Sequence, residues 1–335
     1  MTAHRMSRRL SRLKDALPTR TPPASARAPA IALAALAAAG TALWVHRRAR
    51  RAERRHPPVG QFVEVDGVRV HYVEQGTGSP VVLLHGNSVR LQDFIGSGLI
   101  ARLAERHRVI AFDRPGFGYT ERPRDRLWNA GAQAALVSRA LAQLGIGQAV
   151  VLGHSWGTLA ALALALDHPG AVRGLVLIGG YYYPTARLDV LPTLPVAIPV
   201  LGDAMRYTVA PVMGRLMLGG AAKAMFSPVP VPQTFFRALS REMMLRPGQI
   251  GADAEDAAFM VPDAAALRDR YGSLQVPVRI LVGEDDRIVD ADAHSVRLHA
   301  DLPRSELTVV PGVGHMLHYA VPELIVTAVD ALSGD

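Results

Sequence analysis

The pentapeptide Gly-His-Ser-Trp-Gly at residues 153–157 constrains the fold more than any other stretch of the sequence. An apolar run leads into it and an Ala/Leu-rich run follows, so the pattern predicts a strand, a sharp turn and a buried helix. A turn of this kind is strained, and glycine at positions 153 and 157 lets the strand and the helix approach closely. The Ser155 hydroxyl is then held out beyond the strand, where a base can reach it.

Strand-like and helix-like runs alternate along most of the chain from residue 61. The runs at 81–84, 109–112 and 172–178 are short and almost wholly apolar, which is typical of parallel strands buried on both faces. An Asp-Gly pair at 66–67 predicts a hairpin at the start of the domain. The sequence therefore predicts the α/β class, with a mostly parallel, doubly wound sheet.

The alternation stops between residues 181 and 271. Proline is frequent there, methionine recurs, and no strand pattern is present. We predict a helical lid inserted over the carboxyl edge of the sheet, where ligands bind in folds of this class. The alternation then resumes with an apolar strand-like run at 278–282.

The positive charge of the chain is concentrated at its N-terminus. Residues 1–55 hold 13 of the 37 Lys and Arg residues but 2 of the 29 Asp and Glu residues. The remainder therefore carries 24 basic against 27 acidic residues, a net charge of −3. A nucleic-acid function requires a basic face on the folded domain, so the net charge of +8 gives it no support.

Residues 28–45 contain no charged side chain, and a helix of that length spans roughly 27 Å, close to the hydrocarbon thickness of a bilayer. Trp44 lies at the end of this stretch and an arginine cluster follows it, which favours a single-pass membrane anchor in contact with lipid. By the positive-inside rule the domain then lies on the cytoplasmic side. The predicted segments are a basic tail, 1–27; a transmembrane helix, 28–45; a basic linker, 46–60; the first part of the core, 61–180; the helical lid, 181–271; and the second part of the core, 272–335.

Ser155, Asp286 and His315 each follow the end of a predicted strand. A serine hydroxyl needs a neutral imidazole to remove its proton, and the imidazole needs a carboxylate that fixes its tautomer. Because the ends of parallel strands meet at one edge of the sheet, these residues can converge although they are far apart in sequence. We predict Ser155 as nucleophile, His315 as general base and acid, and Asp286 as the orienting carboxylate.

Neighbouring residues compete for the roles of acid and base. Asp285 is adjacent to Asp286, but the two side chains point in different directions, and we favour Asp286. His294 and His299 fall within a predicted helix and lack a turn before them, and His318 could be a neighbour of the base.

Acyl transfer also requires two N–H groups aimed at one oxygen. One is expected from Trp156, which follows the nucleophile, and the other from Asn87, in the loop after the strand at 81–84. His85 and His154 are predicted to make structural hydrogen bonds. The chain has no cysteine, which excludes disulfides and thiolate metal sites, and the chemistry implies no cofactor or metal.

These motifs together resemble the α/β-hydrolase fold superfamily over residues 61–332. The matching stretches are His85-Gly86, Asp-Arg-Pro-Gly-Phe-Gly at 113–118, and the segments 153–157, 283–289 and 312–315. The resemblance implies a serine hydrolase with a Ser-Asp-His triad, and it makes 113–118 a structural turn. It is specific for the fold and the triad, but it does not specify the substrate.

Asn87 and Trp156 also resemble the pair that holds the halide in haloalkane dehalogenases. Those enzymes attack with an aspartate, as do the related epoxide hydrolases, whereas this chain has Ser155. A serine that attacked an alkyl halide would leave an ether that water does not readily cleave, while an acyl-serine is hydrolysable. The dehalogenase interpretation therefore fails on its chemistry.

The sequence predicts cleavage of carboxylic esters with an apolar or lipid-like acyl group, because the predicted lid is rich in methionine and an anchor would lie nearby. Hydrolases of carbon–carbon bonds, amidases and perhydrolases share these motifs and stay open as alternatives. A non-catalytic binding protein with this fold is a further alternative. Such a protein should have lost a triad member, and the presence of all three argues against it. The acyl length and the oligomeric state are not predicted.

Overall fold

The computed structural model describes residues 24–334, and an eight-stranded sheet forms its centre. The spatial order of the strands is β1-β2-β4-β3-β5-β6-β7-β8. The strands are β1, Gln61–Val65; β2, Val68–Gln75; β3, Ser79–Leu84; β4, His107–Phe112; β5, Ala149–His154; β6, Val172–Ile178; β7, Val278–Gly283; and β8, Ser305–Val310. Strand β2 is antiparallel to both β1 and β4, and all other neighbours are parallel. The prediction of a mostly parallel α/β sheet is confirmed.

The helices follow the strands in the expected alternation. They are α1, Ala24–Arg55; α2, Gln92–Gly96; α3, Leu99–Leu103; α4, Ala130–Gln143; α5, Gly157–Asp167; α6, Leu194–Ala197; α7, Leu201–Met205; α8, Val209–Phe226; α9, Gln233–Leu239; α10, Arg241–Met244; α11, Pro247–Arg268; α12, Arg297–Asp301; α13, Leu317–Ala320; and α14, Pro322–Ser333. Helices α4 and α5 cover one face of the sheet, and α2, α3 and α14 cover the other.

Each central strand is buried on both faces, as its apolar sequence requires. In β3, Val82 and Leu84 join the core cluster beneath α4 and α5, whereas Val81 and Leu83 join the cluster beneath α14. All four side chains are inaccessible to solvent. Alternate residues of a strand point to opposite faces, so a run without a polar residue fits only a sheet covered on both sides.

Between β6 and β7, residues 179–277 form helices α6 to α11 and contain no strand; we call this segment the insertion. The predicted lid, 181–271, lies within it. Phe226, Phe235 and Met244 of the insertion pack in a third apolar cluster with Val89 and Met316 from loops of the core. The insertion is therefore joined to the two loops that follow β3 and β8.

The prediction of a membrane anchor was wrong. Helix α1 is a single 32-residue helix that continues from the uncharged stretch 28–45 through the arginine cluster. Within residues 24–334, no helix combines the length and the apolar character that a membrane crossing requires. Half of the uncharged stretch is alanine, whose small side chain favours a helix but contributes little to insertion into lipid. This finding overturns the transmembrane helix and the single-pass membrane location, and a contact of this helix with lipid is not shown.

The described chain divides into two units after Trp44. Within the second unit, the C-terminal half of α1 packs on the insertion. Val45 and Ala52 are buried, and Glu53 forms an ion pair with Arg246, at 3.2 Å. The predicted basic tail, 1–27, falls mostly outside the described residues.

Candidate active site

Ser155 occupies the turn between β5 and α5 with a left-handed backbone, at φ +52°. Its N–H donates to the carbonyl oxygen of Ile178 at the end of β6, at 2.9 Å. Its own carbonyl oxygen accepts from the hydroxyl of Thr158, at 2.6 Å. Left-handed backbone is unusual for a residue other than glycine, and these bonds hold it in place.

The two glycines of the pentapeptide are required by close backbone contacts. A Cβ atom at Gly153 would lie 2.8 Å from the carbonyl oxygen of Gly157, and one at Gly157 would overlap the carbonyl oxygen of Leu84. A Cβ atom at Gly86 would lie 3.1 Å from that of Ser155. The turn that carries Ser155 thus lies directly against the loop that follows β3.

His315 and Asp286 meet at the same edge of the sheet. Asp286 follows β7, His315 follows β8, and the His315 Nδ1 atom lies 2.8 Å from the Asp286 Oδ2 atom. The other carboxylate oxygen accepts the N–H groups of Ile288 and Val289, at 2.8 and 3.0 Å. Both oxygens of the carboxylate are therefore used, one to hold the imidazole and one to fix the loop.

The electrostatics of this pair favour an ionised carboxylate. Burial raises the pKa of Asp286, but His315 and the two backbone N–H groups lower it by more, so the pKa lies below its usual value. The neighbouring Asp285 is exposed. Of the two acids considered from the sequence, only Asp286 contacts the imidazole among the described residues.

Gly179 is a functional position that the sequence analysis missed. It follows β6 with φ +52°, and a Cβ atom there would lie 3.2 Å from His315 Nδ1 and 3.5 Å from Asp286 Oδ2. Ile178, the residue before it, accepts the N–H of Ser155. The end of β6 therefore lies between the serine and the His-Asp pair, and the Gly-Gly pair after the strand was the available signal.

Asn87 and Trp156 flank Ser155 with their backbone N–H groups unbonded within residues 24–334. Their side chains, by contrast, are both bonded to α11. Asn87 Nδ2 donates to the carbonyl oxygen of Asp253 at 3.0 Å, and Trp156 Nε1 donates to that of Asp256 at 2.8 Å. The backbone donors are free for a ligand, whereas the single indole N–H of Trp156 and one of the two amide N–H groups of Asn87 are used.

Arg114 connects the loop after β3 to the insertion. Its Nε atom donates to the carbonyl oxygen of His85 at 2.8 Å, and its Nη2 atom to that of Gly86 at 3.0 Å. Its Nη1 atom forms a short ion pair with Asp256, and the guanidinium lies 4.3 Å above the Trp156 ring. The resemblance implied that 113–118 is a structural turn, and no local pattern indicated that its arginine holds this loop.

Asp253 contacts the same loop from α11. Its carboxylate accepts the N–H of Ser88 at 2.6 Å, and Ser88 has a left-handed backbone, at φ +60°. Burial raises the pKa of Asp253 to about 7, because it outweighs the bond from Ser88. Asp253, Asp256 and Asp263 recur at helical spacing in an alanine-rich helix, and this was the signal that could have identified them.

The two histidines assigned structural roles make buried hydrogen bonds. His85 Nδ1 donates to the carbonyl oxygen of Gly86 at 2.7 Å, and its Nε2 atom accepts the N–H of Arg114 at 3.0 Å. Burial and Arg114 lower the pKa of His85 to about 3, so the ring is neutral. His154 Nε2 donates to the carbonyl oxygen of His315 at 3.2 Å, which joins the residue before Ser155 to the loop of the base.

A cavity of about 780 Å³ opens elsewhere, between the turn at 116–127 and the insertion. Its wall includes Arg122, Asp203 and Glu255, and none of the five predicted site residues lines it. The catalytic candidates therefore belong to the strand ends and not to this cavity.

Comparison with known proteins agrees with this architecture. A family model described as the alpha/beta hydrolase fold matches residues 79–320. The chain is 30% identical over 267 residues to 2-hydroxymuconate semialdehyde hydrolase of Pseudomonas putida, which covers 79% of this chain and 90% of that protein. It is 26% identical over 264 residues to haloalkane dehalogenase 2 of Mycobacterium tuberculosis, with 78% and 90% covered.

Among solved structures, the esterase RhEst1 from a Rhodococcus species is similar, with 26% identity and a TM-score of 0.61. The match covers 82% of this chain and 98% of that one. The sheet order, the strand-end site and the family match over most of the chain agree, and the protein is therefore a hydrolase that belongs to the alpha/beta hydrolase fold family.

Proposed function

We propose that the protein is a serine hydrolase that cleaves carboxylic esters through an acyl-serine intermediate. The observation that carries the proposal is the buried His315–Asp286 pair, 2.8 Å apart, at the sheet edge where the strained turn presents Ser155. A carboxylate bonded to Nδ1 leaves Nε2 as the nitrogen that can accept a proton. That is the tautomer that activation of a serine requires.

In the proposed reaction, the Ser155 oxygen attacks the ester carbonyl carbon while His315 Nε2 takes its proton. Asp286 stabilises the imidazolium that forms, and the protonated imidazole then delivers the proton to the leaving alcohol. Water repeats the sequence on the acyl-serine, releases the acid and restores the serine. The ester and one water molecule are the reactants, the alcohol and the acid are the products, and the chain is unchanged at the end.

The backbone N–H groups of Asn87 and Trp156 are the proposed oxyanion donors. Both are unbonded within the described chain, and both belong to loops that lie against Ser155. Donors that are fixed before the reaction stabilise the developing charge at no reorganisation cost, and each is worth about 2.7–4 kcal/mol. Arg114 and Asp253 fix the loop that presents the first of them.

The resemblance to a haloalkane dehalogenase does not carry over to this site. A halide site needs the side-chain N–H groups of Asn87 and Trp156, but the Trp156 indole N–H and one of the two Asn87 amide N–H groups donate to carbonyl oxygens of α11. Turning either side chain toward a halide would give up one of these hydrogen bonds, each worth about 0.5–1.5 kcal/mol. Ser155 in the nucleophile position argues against the same reaction for the independent chemical reason given above.

Hydrolysis of a carbon–carbon bond is the second candidate. The relative from Pseudomonas putida, at 30% identity over 90% of its length, is named a 2-hydroxymuconate semialdehyde hydrolase. An apolar acyl ester is favoured here because the insertion, which is rich in methionine, packs an apolar cluster with Phe226 against Val89 and Met316 in the loops after β3 and β8.

Initial rates on p-nitrophenyl esters from acetate to dodecanoate test the proposal with the full chain. Ser155→Ala is the matched control, since it removes one oxygen from a half-buried side chain. We expect saturable hydrolysis that falls by at least about 10⁴-fold in the variant. Rates that rise with acyl length would support the apolar substrate.

The contrary result is a wild-type protein that hydrolyses no ester in a Ser155-dependent way and yet cleaves a ring-cleavage dienoate in a Ser155-dependent way. That result would replace the proposed ester hydrolysis by hydrolysis of a carbon–carbon bond. An active Ser155→Ala variant would contradict the acyl-serine mechanism for either substrate.

A further inference from the structure

A second cluster of polar side chains lies behind the candidate active site. Asp93 in α2, His154 at the end of β5 and His318 in α13 are each no more than 1% exposed. One ligand-type atom from each lies within 4.8 Å of the others. His318 Nε2 and Asp93 Oδ2 are 2.8 Å apart, and the His154 and His318 ring centroids are 4.5 Å apart. The proposed mechanism uses none of these groups.

Some buried polar atoms of this cluster lack a hydrogen-bond partner in the described chain. His154 Nδ1 and His318 Nδ1 have no hydrogen-bond partner among the described residues, and the Tyr319 hydroxyl, next to His318, interacts with the Asp93 carboxylate. An unpaired buried polar atom costs about 1–3 kcal/mol, and two on neighbouring rings beside a buried carboxylate are unusual for a packed core. A bound ion that accepts lone pairs would give such atoms a partner.

We propose that Asp93, His154 and His318 bind a structural Zn²⁺ ion. Two imidazoles and one carboxylate are ligands that zinc prefers, with bonds of about 2.0–2.2 Å and a tetrahedral arrangement. Ligand atoms in such a site lie about 3.3 Å apart, so binding widens the Asp93–His318 contact and draws His154 closer. The Tyr319 hydroxyl or a water molecule completes the four ligands. A buried site of this kind has no open position for a substrate.

Each of the three proposed ligands lies close in sequence to a residue of the candidate active site. His154 precedes Ser155, His318 comes three residues after His315, and Asp93 comes six residues after Asn87. The ion would therefore clamp the three loops that present the candidate nucleophile, base and oxyanion donor. This inference does not depend on which bond the enzyme cleaves, because its readout is metal content.

Metal analysis of the purified full chain tests the site directly. Protein expressed with zinc in the medium and freed of any affinity tag should carry about one zinc per chain by plasma mass spectrometry. Asp93→Asn and His318→Gln should lower this content at least tenfold. His107→Gln is the matched control, since His107 is a buried histidine bonded to Asp330, at 2.7 Å, outside the cluster. It should keep its zinc.

A second measurement keeps the inference testable if those variants do not fold. Wild-type protein is unfolded with a chelator and refolded with or without zinc sulfate. Refolding with zinc should raise Tm by roughly 5–10 °C, since the ion binds only the folded chain. Wild-type protein without stoichiometric metal and without this shift would overturn the site. So would zinc that the Asp93 and His318 variants retain in full.

Discussion

The two halves of the candidate site are held in place by different parts of the chain. On the triad side, the side-chain contacts stay within the core: Asp286 accepts N–H groups two and three residues ahead and holds His315. Within residues 24–334, only a backbone group of this side reaches the insertion, since the N–H of His315 donates to the carbonyl oxygen of Met225. On the oxyanion side, the contacts span the chain, since Asn87 and Trp156 are bonded to carbonyl oxygens of α11, 166 and 100 residues away.

The core and the insertion therefore position different groups of the candidate site. Strand ends of the core are sufficient to bring a nucleophile, a base and an acid to one edge. The loop that carries the Asn87 donor is instead held between Arg114 of the core and Asp253 of the insertion. Changes in the insertion should therefore alter transition-state stabilisation before they disturb the triad.

The largest effect is expected from the triad itself. His315→Ala should lower kcat by about 10⁴-fold or more and leave the fold intact, because its contacts with the insertion and with His154 use backbone atoms. Asp286→Asn should also lower kcat strongly, while the exposed Asp285→Asn should stay within about twofold of wild type. Steady-state kinetics on one ester measure all three. An inactive Asp285 variant beside an active Asp286 variant would reverse the assignment.

A smaller but still large effect is expected from the buried ion pair between Arg114 and Asp256. Arg114→Gln removes the most buried partner of the Asp256 carboxylate, which keeps its contacts with Arg122 and Gln133. The change should lower the free energy of unfolding by about 3 kcal/mol. Arg124→Gln is the control, since the Arg124–Asp203 pair is exposed and worth about 0–1 kcal/mol. Urea unfolding measures both variants. Equal losses of unfolding free energy would show that the buried pair does not hold the insertion to the core.

Asp253 should make stability depend on pH. Burial raises its pKa to about 7, so the protonated acid stabilises the fold below about pH 4, and that contribution declines until about pH 7. Asp253→Asn keeps a neutral side chain, and its Tm advantage over wild type should therefore grow from pH 4 to pH 7 and then level off. Thermal unfolding across this range measures it.

Asp263→Asn is the control for Asp253. Burial raises the pKa of Asp263 to about 7 as well, but its carboxylate is bonded to the N–H of Ala130 and not to the oxyanion loop. Both variants should show the pH-dependent Tm difference, whereas only Asp253→Asn should change kcat. A Tm difference that is constant with pH would contradict the raised pKa of Asp253.

The smallest effect is expected from the Asn87 side chain. Asn87→Ala keeps the backbone N–H that is the proposed oxyanion donor and loses the bond from Nδ2 to the carbonyl oxygen of Asp253. That bond is worth about 1 kcal/mol, so kcat should fall about fivefold with little change in KM. A fall in kcat of about 10³-fold would mean that the side chain itself binds the reacting group, and not only the backbone N–H.

The sequence predicted the parts of the site that local patterns determine. Ser155, Asp286 and His315 follow apolar strands, so the strand pattern and the parallel connection rule were enough to bring them to one edge. Arg114 and Asp256 could not be paired in the same way, because they are 142 residues apart and no periodicity links a core turn to an inserted helix. The anchor was mispredicted because length and missing charge were weighed above the low hydropathy of alanine.

Covalent labelling of Ser155 is the most direct test of the account. The full chain is incubated with a fluorophosphonate, a reagent that phosphonylates activated serines, and the modified residue is mapped by peptide mass spectrometry. We predict one label per chain on Ser155, loss of hydrolysis in proportion to labelling, and no label in His315→Ala. A labelled serine elsewhere, or full activity with Ser155 modified, would contradict the mechanism.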